Sequence, residues 1–265
     1  MSKKLSTFDI AMTLNILSKT KAKEFKALST KKERDRTGLF IAEGEKCVSD
    51  TLGAFQLVNL ICTQDWINRN LDTVRKFKED ILVADKRGME IISSQASLPD
   101  VIAIFHKGTE DRDIPKLDPE KLYLLLDEVQ DPGNLGTIIR TCDWFGVYDI
   151  FASKNTVDVY SPKVVQATMG SLSRVRVRYL DLKELIRNNM RLKLIGTVLD
   201  GDPLEKASLP NKGMLLMGNE GRGISEELRD LIDVGVTIPP YNSKEHPDSL
   251  NVAIATAIML GRLRG

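Results

Sequence analysis

The amino-acid sequence predicts an α/β protein built on a mostly parallel β-sheet. From residue 39 to the C-terminus, short apolar runs bounded by turn residues alternate with segments of helical periodicity. Apolar runs of this kind are typical of buried parallel strands, and the segments between them suit crossover helices on both faces. A charged stretch with two prolines, GTEDRDIPKLDPEK, divides the series near residues 108–119 and is predicted to be a linker.

The first part of the series predicts a small α/β domain. Its strands are LFIAEG, LVNLICT, ILVA and VIAIFHK, and its helices are EKCVSDTLGAF, QDWINRNLDTVRKFK and a short segment after ILVA. We therefore expect an N-terminal extension over residues 1–20, a first domain over 21–112 and a second domain over 113–265.

The second part begins at LYLLLDEV and predicts the larger sheet. The further strands are YDIFAS, SRVRVRY, KLIGTVLD, GMLLMG and VGVTIP. Helices are expected over residues 134–145, near 161–168, at DLKELIRNN, at ISEELRDLI, and from about Asp248 or Ser249 onward. Nearly every residue from Leu250 to Leu260 is apolar or small, which predicts that the last helix is buried on all sides.

Charge is unevenly distributed along a chain whose formal net charge is +1. Residues 1–36 contain ten Lys or Arg and four Asp or Glu, so this segment carries +6 and the remainder −5. A basic segment indicates either a polyanionic partner such as RNA or a solvated tail. The candidate contacts to an RNA backbone are Lys31, Lys32, Arg34 and Arg36.

A second basic strip is the strand SRVRVRY. Arg174, Arg176 and Arg178 share one of its faces at a period of two. The strand either faces RNA or is an edge strand that its charges protect from pairing, and the edge interpretation is favoured.

Composition argues against several kinds of site. The three cysteines lie far apart, which fits a reducing compartment and no cysteine metal site. There are only two histidines, His106 and His246, and no Walker motif. No apolar run reaches the roughly 18 residues of a membrane span, and the N-terminus has no secretory signal pattern. We expect a cytoplasmic protein with no metal and no membrane partner.

The first candidate site is the turn DPGNLGTIIR after the strand LYLLLDEV. Gly133 and Gly136 allow close approach to the backbone, and Asn134 is predicted to cap the following helix. Arg140 lies opposite the apolar stripe of that helix, one turn after Gly136. We interpret this pair as a cleft wall with a gap beside the arginine, and a plain surface arginine is the alternative.

The second and third candidate sites also follow strands. In GMLLMGNEGRGIS, three glycines within six residues predict a tight turn with exposed N–H groups. Its order is G-x-x-G-x-G, which argues against the G-x-G-x-x-G of dinucleotide enzymes. In IPPYNSKEHPDSLNVAIATAI, Ser249 and Asn251 are expected either to cap the last helix or hold a neighbouring loop, or to line a cleft.

In this order and at strand ends, the three segments resemble the three motifs of the SpoU (TrmH-like) branch of the SPOUT RNA methyltransferases. DPGNLGTIIRT resembles the first motif, LLMGNEGRGIS the second and IPP…DSLNVAIATAI the third, over about residues 120–263. KKERDRTGLFIAEGEKCVSDTL is similar to the ribosomal-protein-like RNA substrate-binding domain that often precedes them.

The resemblance implies a second domain with a deep trefoil knot, which binds S-adenosylmethionine and forms a homodimer through the knotted region. It implies transfer of a methyl group to a ribose 2′-hydroxyl of RNA, with ribosomal RNA favoured over transfer RNA. The implied cofactor positions are Thr197, Leu199, Gly218, Asn219, Gly221, Ile238 and Leu250.

The resemblance also implies that Arg140 is the catalytic residue, oriented together with the ribose by Asn134, Glu220, Ser249 and Asn251. Arg140 is implied to take the hydroxyl proton with help from an RNA phosphate. Because arginine normally stays protonated, it could instead hold that phosphate and stabilise the forming alkoxide.

One segment departs from the family pattern. The loop YNSKEHPD is long and lacks glycine, and its His246 is either an alternative base or a surface residue. A catalytically inactive RNA-binding relative and a nucleotide-dependent oxidoreductase are the alternatives from other functional classes.

Overall fold

The computed structural model describes residues 14–108, 113–241, 247 and 249–265. The chain divides into two compact units, Met1–Gly108 with Tyr160–Ser173, and Thr109–Val159 with Arg174–Gly265. The sequence assigns residues 160–173 to the second domain, and the structure corrects this because they pack in the first unit. Among the described residues, no helix is both long and apolar enough to cross a membrane.

A five-stranded mixed sheet forms the centre of the first unit. Its order is β1-β4-β3-β5-β2. β5 runs antiparallel to β2 and β3, and the β1–β4 and β3–β4 pairs are parallel. The strands are β1 (Asn15–Ile16), β2 (Leu39–Glu43), β3 (Leu57–Cys62), β4 (Ile81–Val83) and β5 (Val101–His106).

Short helices surround this sheet, and most begin at a side-chain cap. Ser18, Thr30, Thr63 and Asp85 each accept a hydrogen bond from a backbone N–H in the first turn. The helices are α1 (Lys19–Ala27), α2 (Lys31–Thr37), α3 (Glu45–Thr51), α4 (Gln64–Arg69), α5 (Leu71–Lys76) and α6 (Lys86–Ile92).

The inserted segment 160–173 carries α8 (Pro162–Ala167), which packs on β2. The ring of Tyr160 lies 4.8 Å from that of Phe40, and its hydroxyl accepts a hydrogen bond from the Gly108 N–H at 3.0 Å. The Cys47 thiol donates to the Val165 carbonyl at 3.7 Å. The helix itself is confirmed, but its buried valines cover the first sheet.

The second unit contains a six-stranded sheet of order β11-β9-β10-β6-β7-β8. Every strand pair in it is parallel, which confirms the predicted parallel sheet. The two central strands, β6 and β10, are buried along their whole length. The strands are β6 (Leu122–Leu126), β7 (Asp149–Ala152), β8 (Arg176–Tyr179), β9 (Leu194–Pro203), β10 (Gly213–Met217) and β11 (Val234–Thr237).

Four helices accompany this sheet in the described part of the second unit. They are α7 (Pro132–Trp144), α9 (Leu182–Asn188), α10 (Glu226–Arg229) and α11 (Val252–Arg264). α11 is not buried on all sides, because Ile254 and Ile258 are 50% and 38% exposed. The expectation of complete burial is therefore wrong for the single chain.

β8 is an edge strand, as the favoured interpretation of SRVRVRY predicts. Its two arginines, and Arg174 just before it, contact residues within the unit. Arg174 donates to both carboxylate oxygens of Asp143 at 2.7–3.1 Å, and Arg176 lies 3.8 Å from the Asp149 carboxylate. The Arg178 guanidinium lies over the Phe151 ring, 5.5 Å from its centroid.

Candidate active site

The ends of β6 and β10 bring two of the predicted motifs together. These strands pair in register up to Leu126 and Met217, so the loops that follow them start side by side. Ligands of open parallel sheets bind outside the carboxyl ends of such strands. The buried Asp127 joins the loops, because its carboxylate accepts the Ser225 N–H at 2.8 Å.

The cap of α7 is Asp131, which corrects the prediction that Asn134 caps this helix. The Asp131 carboxylate accepts the N–H of Asn134 at 2.8 Å, and Pro132 occupies the first helical turn. The Asn134 side chain is therefore available for other contacts. Its amide donates to Glu220 Oε1 at 2.9 Å, and its oxygen accepts from the Asn251 amide at 2.9 Å.

Glu220 holds the loop that leads into α7. Besides Asn134, its carboxylate accepts the N–H groups of Gln130 and Asp131 at 3.3 and 3.2 Å. Burial alone would raise the pKa of Glu220, but these hydrogen bonds outweigh burial and lower the pKa below its ordinary value of 4.5. Glu220 is therefore an ionised anchor near neutral pH.

Asn251 caps the last helix and also holds a neighbouring turn, which is the structural alternative that the sequence offered. Its side-chain oxygen caps α11 by accepting the N–H groups of Ala253 and Ile254 at 2.9 and 3.3 Å. Its amide group donates to Asn134, so Glu220, Asn134 and Asn251 form a continuous polar chain. This chain, hereafter the Glu–Asn–Asn chain, connects all three motifs.

The glycine-rich segment after β10 is a tight turn. The N–H of Asn219 donates to the Gly223 carbonyl at 2.9 Å, and the Gly223 N–H donates back at 3.0 Å. A Cβ on Gly218 would lie 2.3 Å from the Gly223 carbonyl carbon, so only glycine fits there. A Cβ on Gly221 would meet only the Asn219 Oδ1 at 3.8 Å, which leaves this backbone open to a ligand.

A bulge in β9 carries two predicted cofactor positions. Its pairing with β11 jumps from Gly196↔Gly235 to Asp202↔Val236, so residues 197–201 protrude between them. Thr197 remains close to the end of β10, because its hydroxyl donates to the Met217 sulfur at 3.8 Å. Leu199 is exposed at the outer part of the bulge.

The remaining predicted positions border the loop before α11. Ile238 is partly buried after β11, whereas Ser249 and Leu250 are exposed before α11. Within the described residues, Ser249 makes no hydrogen bond to the Glu–Asn–Asn chain. His246 lies outside the described residues, together with the rest of 242–246 and 248.

Arg140 lies on the exposed face of α7, as its spacing predicts. It forms no hydrogen bond or ion pair with any residue of the described ranges, so the polar chain does not hold it directly. Gly136 is buried, which corrects the expectation of an open gap beside the arginine. The Glu–Asn–Asn chain fixes the start of α7, and Arg140 extends from the exposed face of that helix.

The basic residues of α2, in the first unit, differ from one another. Lys31 and Arg36 are paired with Asp35 and Glu33, and Lys32 is exposed. Arg34 is only 2% exposed and donates to the carbonyls of Leu28 and Ser29 at 2.8 and 2.9 Å. Arg34 is therefore a structural residue, and its prediction as an RNA contact is wrong.

Comparison with known families tests the predicted membership. Residues 121–261 match the SpoU rRNA Methylase family. The chain belongs to this family. Residues 19–103 match the MRM3-like substrate binding domain, so both parts of the predicted membership are confirmed.

Relatives of this SpoU family chain cover nearly all of its length. The 23S rRNA (guanosine(2553)-2′-O)-methyltransferase RlmP of Bacillus subtilis is 32% identical over 248 residues, 92% of this chain and 96% of that protein. The 23S rRNA (uridine(2479)-2′-O)-methyltransferase of Streptomyces viridochromogenes is 31% identical, and the match covers 89% of this chain and 86% of that protein. The solved structure of an AdoMet-bound rRNA methyltransferase from Sinorhizobium meliloti is 31% identical in sequence, with a TM-score of 0.81. The match covers 95% of this chain and 96% of that chain.

Proposed function

We propose that this SpoU family protein transfers the methyl group of S-adenosylmethionine to a ribose 2′-hydroxyl of ribosomal RNA. The observation that carries the proposal is the Glu–Asn–Asn chain, which unites the three motifs at the start of the helix that bears Arg140. Two relatives named as 23S rRNA 2′-O-methyltransferases and one AdoMet-bound relative support the reaction and the substrate class.

The residues at the ends of β9, β10 and β11 suit the cofactor. When bound, S-adenosylmethionine supplies an electrophilic methyl group on a sulfonium. The open backbone at Gly221 and the protruding bulge at 197–201 offer N–H and carbonyl groups to such a ligand. We assign the cofactor to Thr197, Leu199, the 218–221 turn, Ile238 and Leu250, and we expect it to lie within a trefoil knot.

Arg140 acts on the RNA in this proposal. A guanidinium stays protonated in proteins, so Arg140 would hold an RNA phosphate and stabilise negative charge on the attacking 2′-oxygen. Asn134 and Asn251 would fix the helix that presents Arg140, and we assign Ser249, which is exposed before α11, to the ribose. Positioning then supplies much of the rate, as in other in-line displacements.

The exposed apolar residues of α7 and α11 support a homodimer through the second unit. Trp144 is 86% exposed on α7, and Ile254 and Ile258 are exposed on α11, which packs against α7. Leu250, just before α11, is exposed as well. A second copy would cover this surface. Sedimentation should show a dimer that Ile254→Asp with Ile258→Asp makes monomeric, whereas Met190→Asp, at another exposed apolar residue, leaves it dimeric.

The compartment we propose is the cytoplasm. The three cysteines are all free and buried, which is the state expected of thiols in a reducing environment. Burial raises the pKa of the Cys47 thiol to about 11, so it should react slowly with thiol reagents in the native state.

The test of the proposed function is a map of 2′-O-methyl sites in total RNA from cells with and without this protein. A ribosomal site that disappears on deletion and returns with the wild-type gene is the expected result. A lost site in transfer RNA would overturn the substrate class. Unchanged maps, together with no binding of S-adenosylmethionine in calorimetry, would favour a catalytically inactive relative.

A further inference from the structure

Glu128, directly after β6 and Asp127, has an unusual backbone. Its φ is +57°, and among the described residues the only other non-glycine residue with positive φ is Met169, at +49°. This left-handed conformation is unfavourable for a residue with a Cβ and persists only where surrounding contacts enforce it. The contacts of Glu128 therefore show what the strained conformation achieves.

The backbone of Glu128 connects two neighbouring loops. Its N–H donates to the Ser153 hydroxyl after β7 at 2.8 Å. Its carbonyl accepts the Asn219 amide of the glycine-rich turn at 2.7 Å. The left-handed backbone is thus fixed from both sides by side chains of adjacent strand ends.

The side chain of Glu128 connects the same loops a second time. One carboxylate oxygen accepts the Asn155 amide at 2.7 Å, and the other accepts the Arg222 guanidinium. The Glu128 side chain is three-quarters buried, whereas Arg222 is largely exposed, so their contact is a charge-assisted hydrogen bond that solvent partly screens. Glu128 therefore contacts the turn at Asn219 and at Arg222.

The glycine-rich turn is attached to its neighbours by two glutamates. Glu220 attaches it to the loop that leads into α7, and Glu128 attaches it to the ends of β6 and β7. The turn itself contains open backbone at Gly221, between Asn219 and Arg222. A shift of either attachment would move the backbone groups that meet the cofactor.

We propose that Glu128 is a positioning residue that holds the 219–222 turn in the conformation that binds S-adenosylmethionine. This inference rests on the proposed function, because it assigns a residue to the cofactor site of that reaction. Glu128 acts through Asn219 and Arg222 and does not touch the reacting atoms. The left-handed backbone of Glu128 allows its side chain to reach both Asn155 and Arg222.

The experiment compares Glu128→Gly with the matched variant Met169→Gly. Both changes relieve an unfavourable positive φ, and in Glu128→Gly this relief offsets the lost side-chain contacts, so neither protein should show a large fall in melting temperature. Only Glu128→Gly should weaken S-adenosylmethionine binding in calorimetry, by about tenfold. The KM for the cofactor should rise accordingly, while kcat at saturating cofactor stays within about twofold.

Two further variants separate the carboxylate from the backbone. Glu128→Gln keeps the size of the side chain but loses its charge, and Arg222→Met removes an exposed partner without disturbing the fold. Each should weaken cofactor binding by about threefold to tenfold. The double variant should bind S-adenosylmethionine as well as the single variant with the lower affinity, because both changes break the same contact.

Wild-type affinity in Glu128→Gly and Arg222→Met would overturn the proposal. A fall in cofactor affinity that accompanies a large fall in melting temperature in Glu128→Gly would also overturn it, because a purely structural residue gives that pattern. If the wild-type protein itself failed to bind S-adenosylmethionine, that result would contradict the proposed function. The role of Glu128 is tested separately, by the comparison between variants.

Discussion

Helices α2 and α7 both carry basic residues that the sequence connects with RNA, and their surroundings differ. In α2, Arg34 is buried on backbone carbonyls, and Lys31 and Arg36 are held in ion pairs. In α7, Arg140 is exposed and has no hydrogen-bond or ion-pair partner among the residues that the structure describes. The number of basic residues on a helix therefore overstates how many are available to substrate, because buried and paired side chains are already engaged.

The largest expected effect is that of Arg140→Ala on methyl transfer. Removing the guanidinium should lower the single-turnover rate by about a thousandfold, because no other described side chain replaces its charge. Cofactor affinity in calorimetry should stay within about twofold of wild type, since no hydrogen bond or ion pair joins Arg140 to the described turn after β10. The matched control is Arg176→Ala, an exposed arginine of β8, which should retain full activity.

Substantial single-turnover activity in Arg140→Ala would contradict the comparison between the helices. Equal losses in Arg140→Ala and Arg176→Ala would contradict it too, because they would show that any exposed arginine of this unit contributes to the rate.

The next effect is on stability. Arg34→Ala should lower the free energy of unfolding by about 2–3 kcal/mol, because it leaves the carbonyls of Leu28 and Ser29 without their buried donor. Arg36→Ala removes only an exposed ion pair and should change stability by less than about 0.5 kcal/mol. Urea unfolding of the two variants measures the difference, and equal effects would show that Arg34 is not the structural residue that its burial indicates.

A smaller effect concerns RNA affinity. If Lys31 and Lys32 contact phosphates, changing both to Ala should weaken RNA binding severalfold. The slope of log affinity against log salt should also decrease by roughly 1.5. Filter binding over a range of salt concentrations measures both quantities. An unchanged slope would show that Lys31 and Lys32 do not contact RNA phosphates and are simply solvated charges.

The smallest effect is a dependence of stability on pH. The lowered pKa of Glu220 stabilises the fold above the ordinary value of 4.5, and this contribution is lost as pH falls through the lowered value. Glu220→Gln should therefore be less stable than wild type by about 1 kcal/mol at neutral pH, and the difference should narrow below pH 4.5. A constant difference across pH would show that the hydrogen bonds do not depend on the charge.

Most of the elements could be predicted because buried strands and amphipathic helices leave periodic apolar patterns. The residue that caps α7 was harder to predict, because DPGN contains two residues that can cap a helix. Only Asp131 directly precedes the proline that starts the helix. The valines of α8 suit either sheet, so periodicity could not place residues 160–173. Arg34 looks like a surface charge in sequence, since its carbonyl partners leave no sequence signal.

The candidate site was predictable as three motifs but not as a connected network. Nothing in the sequence indicates that Asn251 both caps α11 and contacts Asn134, because the two residues are 117 positions apart. Glu128 was also missed, although an acid between a buried strand and a turn was visible. Its positive φ and its two loop contacts exist only in the folded chain.

The most direct test of the account is a purified reaction with methyl-labelled S-adenosylmethionine and ribosomal or transfer RNA, followed by digestion to nucleosides. We expect label in a 2′-O-methyl nucleoside of ribosomal RNA with the wild-type protein, and almost none with Arg140→Ala. Label on a base, label only in transfer RNA, or equal label with Arg140→Ala would contradict it.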